Sequence, residues 1–213
     1  MLFKKHKTKI FCIGQNKTGT TSLQKFFEDH GFIVGDQITA ELLMDDYIAR
    51  NWKPILKYCK TAEVFQDIPF SNDYLYVLLD HHFPNAKFIL SERDSAEQWY
   101  SSITKFHSKL FGKNGNIPTK QDLQNATYCY KGFIWKCFKE KYGEIESDIY
   151  NKENLLKVYI DRNERIKHYF KNNPNFLVVN LSEPDAVKKV AKFVNITPKY
   201  QTMPWENKTD KIQ

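Results

Sequence analysis

An apolar run from Lys9 to Ile13 empties into Gly14-Gln15-Asn16-Lys17-Thr18-Gly19, and a helical pattern starts at Thr20. No other segment restricts the fold as strongly. A strand, a glycine-bounded loop and a helix in that order turn backbone N–H groups toward one point. The helix dipole adds positive potential there, so the turn binds phosphate-like anions.

The rest of the chain supports an α/β domain with a mainly parallel sheet flanked by helices, because strand and helix patterns alternate along it. Thr20 to His30 places Leu23, Phe26, Phe27 and His30 on one helical face, with Gly31 as the stop. Phe32 to Val34 reads as a short second strand, and residues 39 to 60 as one or two helices with Pro54 near the start of the second. Glu63 to Phe65 is a strand leading into Gln66-Asp67-Ile68-Pro69. Asn72 to His82 is a helix, and Lys87 to Ser91 another strand. Asp94 is placed to cap the next helix, with Glu97 in capping-box spacing. Two glycines and a proline make Phe111 to Pro118 a mobile surface loop. Residues 120 to 142 and 151 to 172 read as long amphipathic helices, Asn175 to Asn180 as a late strand, and Pro184 to Val194 as a final helix. There is no internal repeat and no low-complexity linker, so residues 1 to 213 read as a single domain.

Charge narrows the partners only to a class. The formal net charge is +7, which favours anions such as nucleotides, sulfated sugars, nucleic acids or lipid headgroups. An ordinary basic surface explains the same excess. Cys12, Cys59, Cys129 and Cys137 form no CxxC pair and no zinc spacing, and Cys12 sits in an apolar strand pattern. Reduced thiols are the expectation, and no metal is expected. The run Ile10 to Gly14 is too short for a signal-peptide core or a membrane span, which predicts a soluble, cytoplasmic protein.

Gly14 and Gly19 have the spacing of a Walker A loop, GxxxxGK[ST], but Thr20 stands where the lysine belongs and the lysine has moved forward to Lys17. The order Lys17-Thr18-Gly19-Thr20-Thr21-Ser22 after a strand resembles the 5′-phosphosulfate loop of the PAPS-dependent sulfotransferases. Farther on, Arg93 at a strand end and Ser101 eight positions later resemble that family's pair for the donor's 3′-phosphate. Arginine offers phosphate a rigid, permanently charged fork. The C-terminal end of a strand is where open α/β sheets bind ligands. The segment from Pro84 to Leu90, continued by Trp99 and Tyr100, is similar to the PxAKxIL…RD…WYxS run of a bacterial-type branch. Met203-Pro204-Trp205-Glu206-Asn207 resembles its FPxxN segment, with Met203 in place of phenylalanine.

The resemblance implies a three-layer, P-loop-NTPase-like sulfotransferase fold and an enzyme that takes PAPS as donor and releases PAP. Lys17 would stabilise charge near the transferring group. Thr18, Gly19, Thr20, Thr21 and Ser22 would hold the 5′-phosphate, and Arg93 with Ser101 the 3′-phosphate. The family's late basic segment points to Asn207 and Lys208, with Lys211, as residues that close over the nucleotide. Its general base often follows a strand just before a proline, which points to Asp67, and burial would have to raise that carboxyl for the role. His107 is the alternative base. The acceptor, a small molecule, carbohydrate or lipid bearing a hydroxyl or amine, is expected against Lys105 to Gly143. That stretch combines Phe106, Phe111, Tyr128, Tyr130, Phe133 and Trp135 with many lysines, although Phe133 and Tyr130 suit a helix core equally.

Two other classes stay open. A P-loop small-molecule kinase would need the missing Walker A lysine and carboxylates for magnesium. A non-catalytic basic nucleotide- or nucleic-acid-binding domain fits the charge, but no recognised RNA- or DNA-binding signature is present, and no nucleic-acid partner is expected.

Overall fold

The structure, a computed structural model, describes residues 8–144 and 147–204. In chain order it contains β1 (Ile10–Cys12), α1 (Thr20–Asp29), α2 (Gln37–Leu42), α3 (Met44–Ile48), α4 (Trp52–Tyr58), β2 (Val64–Gln66) and α5 (Leu75–His82). There follow β3 (Lys87–Glu92), α6 (Ala96–Phe111), a 3-10 turn (Lys113–Gly115), α7 (Lys120–Asn125), α8 (Phe133–Tyr142), α9 (Lys152–Tyr169), β4 (Phe176–Asn180) and α10 (Ala186–Val194).

The four strands form a parallel sheet in the order β2-β1-β3-β4. The chain leaves β1 toward β2 on one side and returns to place β3 on the other. The order therefore reverses between β1 and β3, and the crevice beyond their C-terminal ends is the usual ligand position in an open sheet.

Side chains alternate across the pleat, so each strand feeds two cores. Phe11 lies on one face and stacks against Phe65 and Phe88, each with ring centroids 5.5 Å away. Ile55, Leu79, Ile166 and Phe170 cover that side from α4, α5, α9 and its C-terminus. Ile10, Cys12, Val64 and Ile89 point the other way, onto Leu23, Phe26 and Phe27 of α1 and Val187 and Val190 of α10. A third cluster joins Trp99 and Ile103 of α6 to Leu123, Phe138 and Tyr159. This is the expected three-layer α/β arrangement.

Several boundaries differ from the sequence reading, each for a local reason. Phe32 to Val34 contributes only a bridge from Val34 to Val64. The chain then turns away at Gly35, where a Cβ would lie 2.6 Å from the Tyr58 hydroxyl. Residues 39 to 60 hold parts of three helices, and Arg50 takes a left-handed φ of 56° in the break before α4. Helix α5 begins at Leu75 instead of Asn72, after Tyr74 adopts φ 60°. The long helix expected over 120 to 142 is two helices, with Gly132 at φ 82° between them. The cap of α6 is Ser95, whose side chain accepts from the Gln98 N–H at 3.1 Å. Asp94 instead accepts from the Ser182 hydroxyl at 2.7 Å and from Asn180 and Gln98 side-chain amides. The loop after α6 carries the 3-10 turn and packs tightly at Gly112, where a Cβ would overlap the Asn116 carbonyl oxygen.

Candidate active site

The turn from β1 into α1 is held by groups that pull its carbonyls outward. Arg162 of α9, a buried residue, donates from Nη2 to the Ile13 carbonyl at 2.8 Å. Trp99 Nε1 donates to the Asn16 carbonyl at 3.1 Å, and Arg93 Nε to the Lys17 carbonyl at 2.5 Å. Thr18 donates its hydroxyl to the Gln15 carbonyl at 2.6 Å and lies 2.7 Å from the Ser91 hydroxyl on β3. With its oxygens tied back, the loop turns its inner side and the N-terminal turn of α1 toward one cavity. Gly14 is required for this fit, because a Cβ there would sit 2.1 Å from Ser91 Oγ. Gly19 caps α1 at φ 97° and lies against Leu181.

That cavity, about 320 Å³, opens at the C-terminal ends of β1 and β3. Lys17, Gly19, Thr20, Thr21, Ser22, Asp67, Arg93 and His107 all border it, so the structure gathers most of the residues the sequence singles out. Thr18 is the exception inside the loop. Its N–H and its hydroxyl both return to the Gln15 carbonyl, and the residue is buried behind the cavity wall. Ser101 is exposed on α6 and does not border the cavity. Asn207, Lys208 and Lys211 lie outside the described residues.

Among the described residues, three cations and two carboxylates border the cavity. The Lys17 ammonium rests over the Phe106 ring, 3.9 Å from its centroid. Burial and the neighbouring Arg93 charge push it down to about 8, against the opposing pull of Asp67. Lys141 of α8 reaches the side-chain carbonyl of Asn16 and, at 3.2 Å, the Ser71 hydroxyl. Burial lowers it to about 8 as well, again opposed by Asp67. Arg93 is also depressed by burial. Asp67, at a left-handed φ of 57°, accepts from the Asn16 amide, from the Ile68 N–H at 2.9 Å and from the Thr20 hydroxyl at 3.1 Å.

His107 faces the cavity, but its Nδ1 lies 2.6 Å from the Tyr150 hydroxyl. Burial, followed by the charges of Lys141 and Lys17, pushes the imidazole down to about 3. A ring so reluctant to bind a proton is a poor general base. Of the aromatics expected at the acceptor region, Phe106, Phe111, Tyr128 and Phe133 border the cavity. Tyr130 turns to Asp45, and Trp135 stacks on Phe138.

Two site residues escaped the sequence reading. Glu41 of α2 borders the cavity with its carboxyl raised by burial. Lys141 is one of several lysines on α8, and no spacing marks it out. For Glu41 the available signal was Gln37 and Glu41 one turn apart, a polar pair on one helix face. Among the described residues, no group of three or more His, Cys, Asp or Glu is arranged to hold a metal ion, and no helix is long and apolar enough to cross a membrane.

A family model described as a sulfotransferase domain matches residues 9–212. No curated protein matches the chain.

Proposed function

The chain belongs to the sulfotransferase family, and from that premise we propose that it moves a sulfuryl group from PAPS to a hydroxyl or amine of an acceptor bound in the same cavity. The observation that carries this reading is the convergence of Lys17, Arg93, Lys141 and the N-terminal turn of α1 on one cavity. Burial leaves both lysines poorly compensated, and a bound polyanion relieves that cost.

Thr20, Thr21 and Ser22, with Gly19 as the bend, receive the donor's 5′-phosphate through backbone N–H groups and hydroxyls. Lys17 meets charge that grows on the bridging and sulfuryl oxygens as the bond to sulfur breaks, the same demand that phosphoryl transfer makes. Thr18 positions the loop from behind. Arg93 continues the anion site toward the rim, where the exposed Ser101 extends it along α6 for the 3′-phosphate. Asn207 and Lys208, outside the described residues, complete the set proposed to bind the nucleotide. No step in this scheme calls for a metal. Among the described residues, Asp67 and Glu41 are the two carboxylates that border the cavity.

The test is calorimetric titration with PAP beside ATP, without magnesium, for the wild type, Lys17→Ala and Arg93→Ala. PAP is expected to bind more tightly than ATP. Each variant is expected to lose about tenfold or more, the size of a charge-assisted hydrogen bond. Equal binding by all three proteins, or none, overturns the donor site.

A further inference from the structure

Lys141 borders both the donor cavity and a second, much smaller chamber of about 10 Å³. Gln15, Ser71, Asn72, Asp73 and Arg162 also line the small chamber. Three of them are almost wholly buried, with Gln15 2%, Asn72 1% and Arg162 3% exposed. Each of the three carries a polar atom with no hydrogen-bond partner among the described residues: Gln15 Oε1, Asn72 Oδ1 and Arg162 Nη1. Buried polar atoms left in this way are rare, because each costs free energy until something pairs with it.

We propose that the chamber is a binding site for a single water molecule, and that this water positions the donor loop. The first part stands on the chamber alone, and the second rests on the donor reading above.

Size and chemistry choose the ligand. A volume of about 10 Å³ is close to that of one water and too small for more. A water donates to the two carbonyl oxygens and accepts from the guanidinium, which makes three bonds, the usual number for a buried water. A cation would meet the charges of Arg162 and Lys141. An anion would meet the two carbonyl oxygens and the carboxylates of Asp73 and Glu140. Asp73 already pairs with Arg162 Nε at 2.9 Å, so the guanidinium charge is balanced without a bound anion.

The site joins two segments from different parts of the chain. Gln15 belongs to the β1–α1 loop, and its carbonyl accepts from the Thr18 N–H and hydroxyl. Asn72 lies between β2 and α5, and its side-chain amide donates to Met44 Sδ at 3.0 Å. Asn16, next to Gln15, and Ser71, next to Asn72, both accept from Lys141. Two bridges therefore run side by side from the loop to the same segment, one through the lysine and one through the water. A water that fixes Gln15 holds the loop in its anion-binding shape before the donor arrives. Less order then has to be gained on binding.

The experiment compares the wild type with a Gln15→Met, Asn72→Leu double variant, both as full chains. Crystals of each are solved, and wild-type crystals are also soaked in bromide. In the wild type one water is expected at roughly 2.7–3.2 Å from Gln15 Oε1, Asn72 Oδ1 and Arg162 Nη1. In the double variant only the guanidinium is left to hold it, and the water is expected to be lost. PAP affinity of the variant is expected to be about tenfold weaker. Urea unfolding is measured beside it, because a water that only supports the fold changes stability and leaves PAP affinity alone. No water in the wild type, bromide in its place, or a water that persists in the double variant overturns the site. Loss of the water with PAP affinity unchanged overturns its role in the loop. A wild type that holds the water but binds no PAP overturns the donor reading and leaves the water site standing. If the double variant does not fold, the wild-type crystals decide the site, and PAP titration of Gln15→Met alone decides the role, with a several-fold loss expected.

Discussion

Lys17 and Lys141 share one circumstance at the scale of single residues. Both ammonium groups are drawn out of water beside too little negative charge, and both are lowered to about 8 from an ordinary 10.5. Donor affinity therefore depends on pH through the free protein. Below about 7 both lysines carry their protons and the anion site is complete. As pH rises through 8 they lose those protons, and binding the donor must first restore them. One lysine with this behaviour costs about tenfold in PAP affinity between pH 7 and pH 9, and two cost more. Titrations at pH 7, 8 and 9 are expected to show that fall, and Lys141→Met is expected to reduce it to the roughly tenfold that Lys17 alone gives. The linkage to folding has the opposite sign. A lysine lowered on folding is more easily protonated in the unfolded chain, so the ligand-free protein gains stability as pH climbs from about 8 toward 10.5. An affinity independent of pH over this range would mean that neither lysine meets the anion.

At the scale of elements, the β1–α1 turn depends on a brace that touches no ligand. Thr18 links the Gln15 carbonyl to the Ser91 hydroxyl, so the loop is fastened to the end of β3. Thr18→Val keeps the shape and removes the link, leaving buried oxygens short of a partner. The expected cost is about 1–3 kcal/mol of stability, seen in urea unfolding. A fall in PAP affinity is expected with it, because the loop loses its anchor. Unchanged affinity would show that the loop holds itself. Legibility in the sequence follows the same division. The loop, Lys17 and the alternation of strands and helices were readable because each is written in contiguous residues with a local physical meaning. Arg93 was readable from its place at a strand end. The break at Gly132 was missed because the apolar spacing on either side continues through it. The cap passed from Asp94 to Ser95 because Asn180 and Ser182, distant in sequence, claim the Asp94 carboxylate. Glu41 and Lys141 belong to the site only through packing of α2 and α8 over the sheet. No spacing near either residue announces that.

At the scale of the whole molecule, the two halves of the anion site come from different strands, and the sheet together with the Arg93–Lys17 and Thr18–Ser91 hydrogen bonds fixes their separation. The loop with Lys17 follows β1, and Arg93 follows β3. β1 has only three residues and lies between β2 and β3, so its place depends on side-chain packing as much as on its ladder. Phe11 packs on one face of the sheet, with its ring centroid within 5.8 Å of those of Phe65, Phe70, Phe83 and Phe88. Phe11→Ala is expected to cost about 3–5 kcal/mol, a large share of the roughly 5–15 kcal/mol that holds a domain of this kind together. The ligand then provides a separate reading. PAP at a hundred times its wild-type Kd stabilises the folded state by about 2.7 kcal/mol, as long as the folded variant keeps its two half-sites in register. If Phe11 acts on the sheet as a whole, the variant unfolds at lower urea, yet PAP shifts its free energy of unfolding by the same amount as in wild type at equal PAP concentration. A smaller shift would instead mean that the folded variant has let the β1 loop drift from the β3 end.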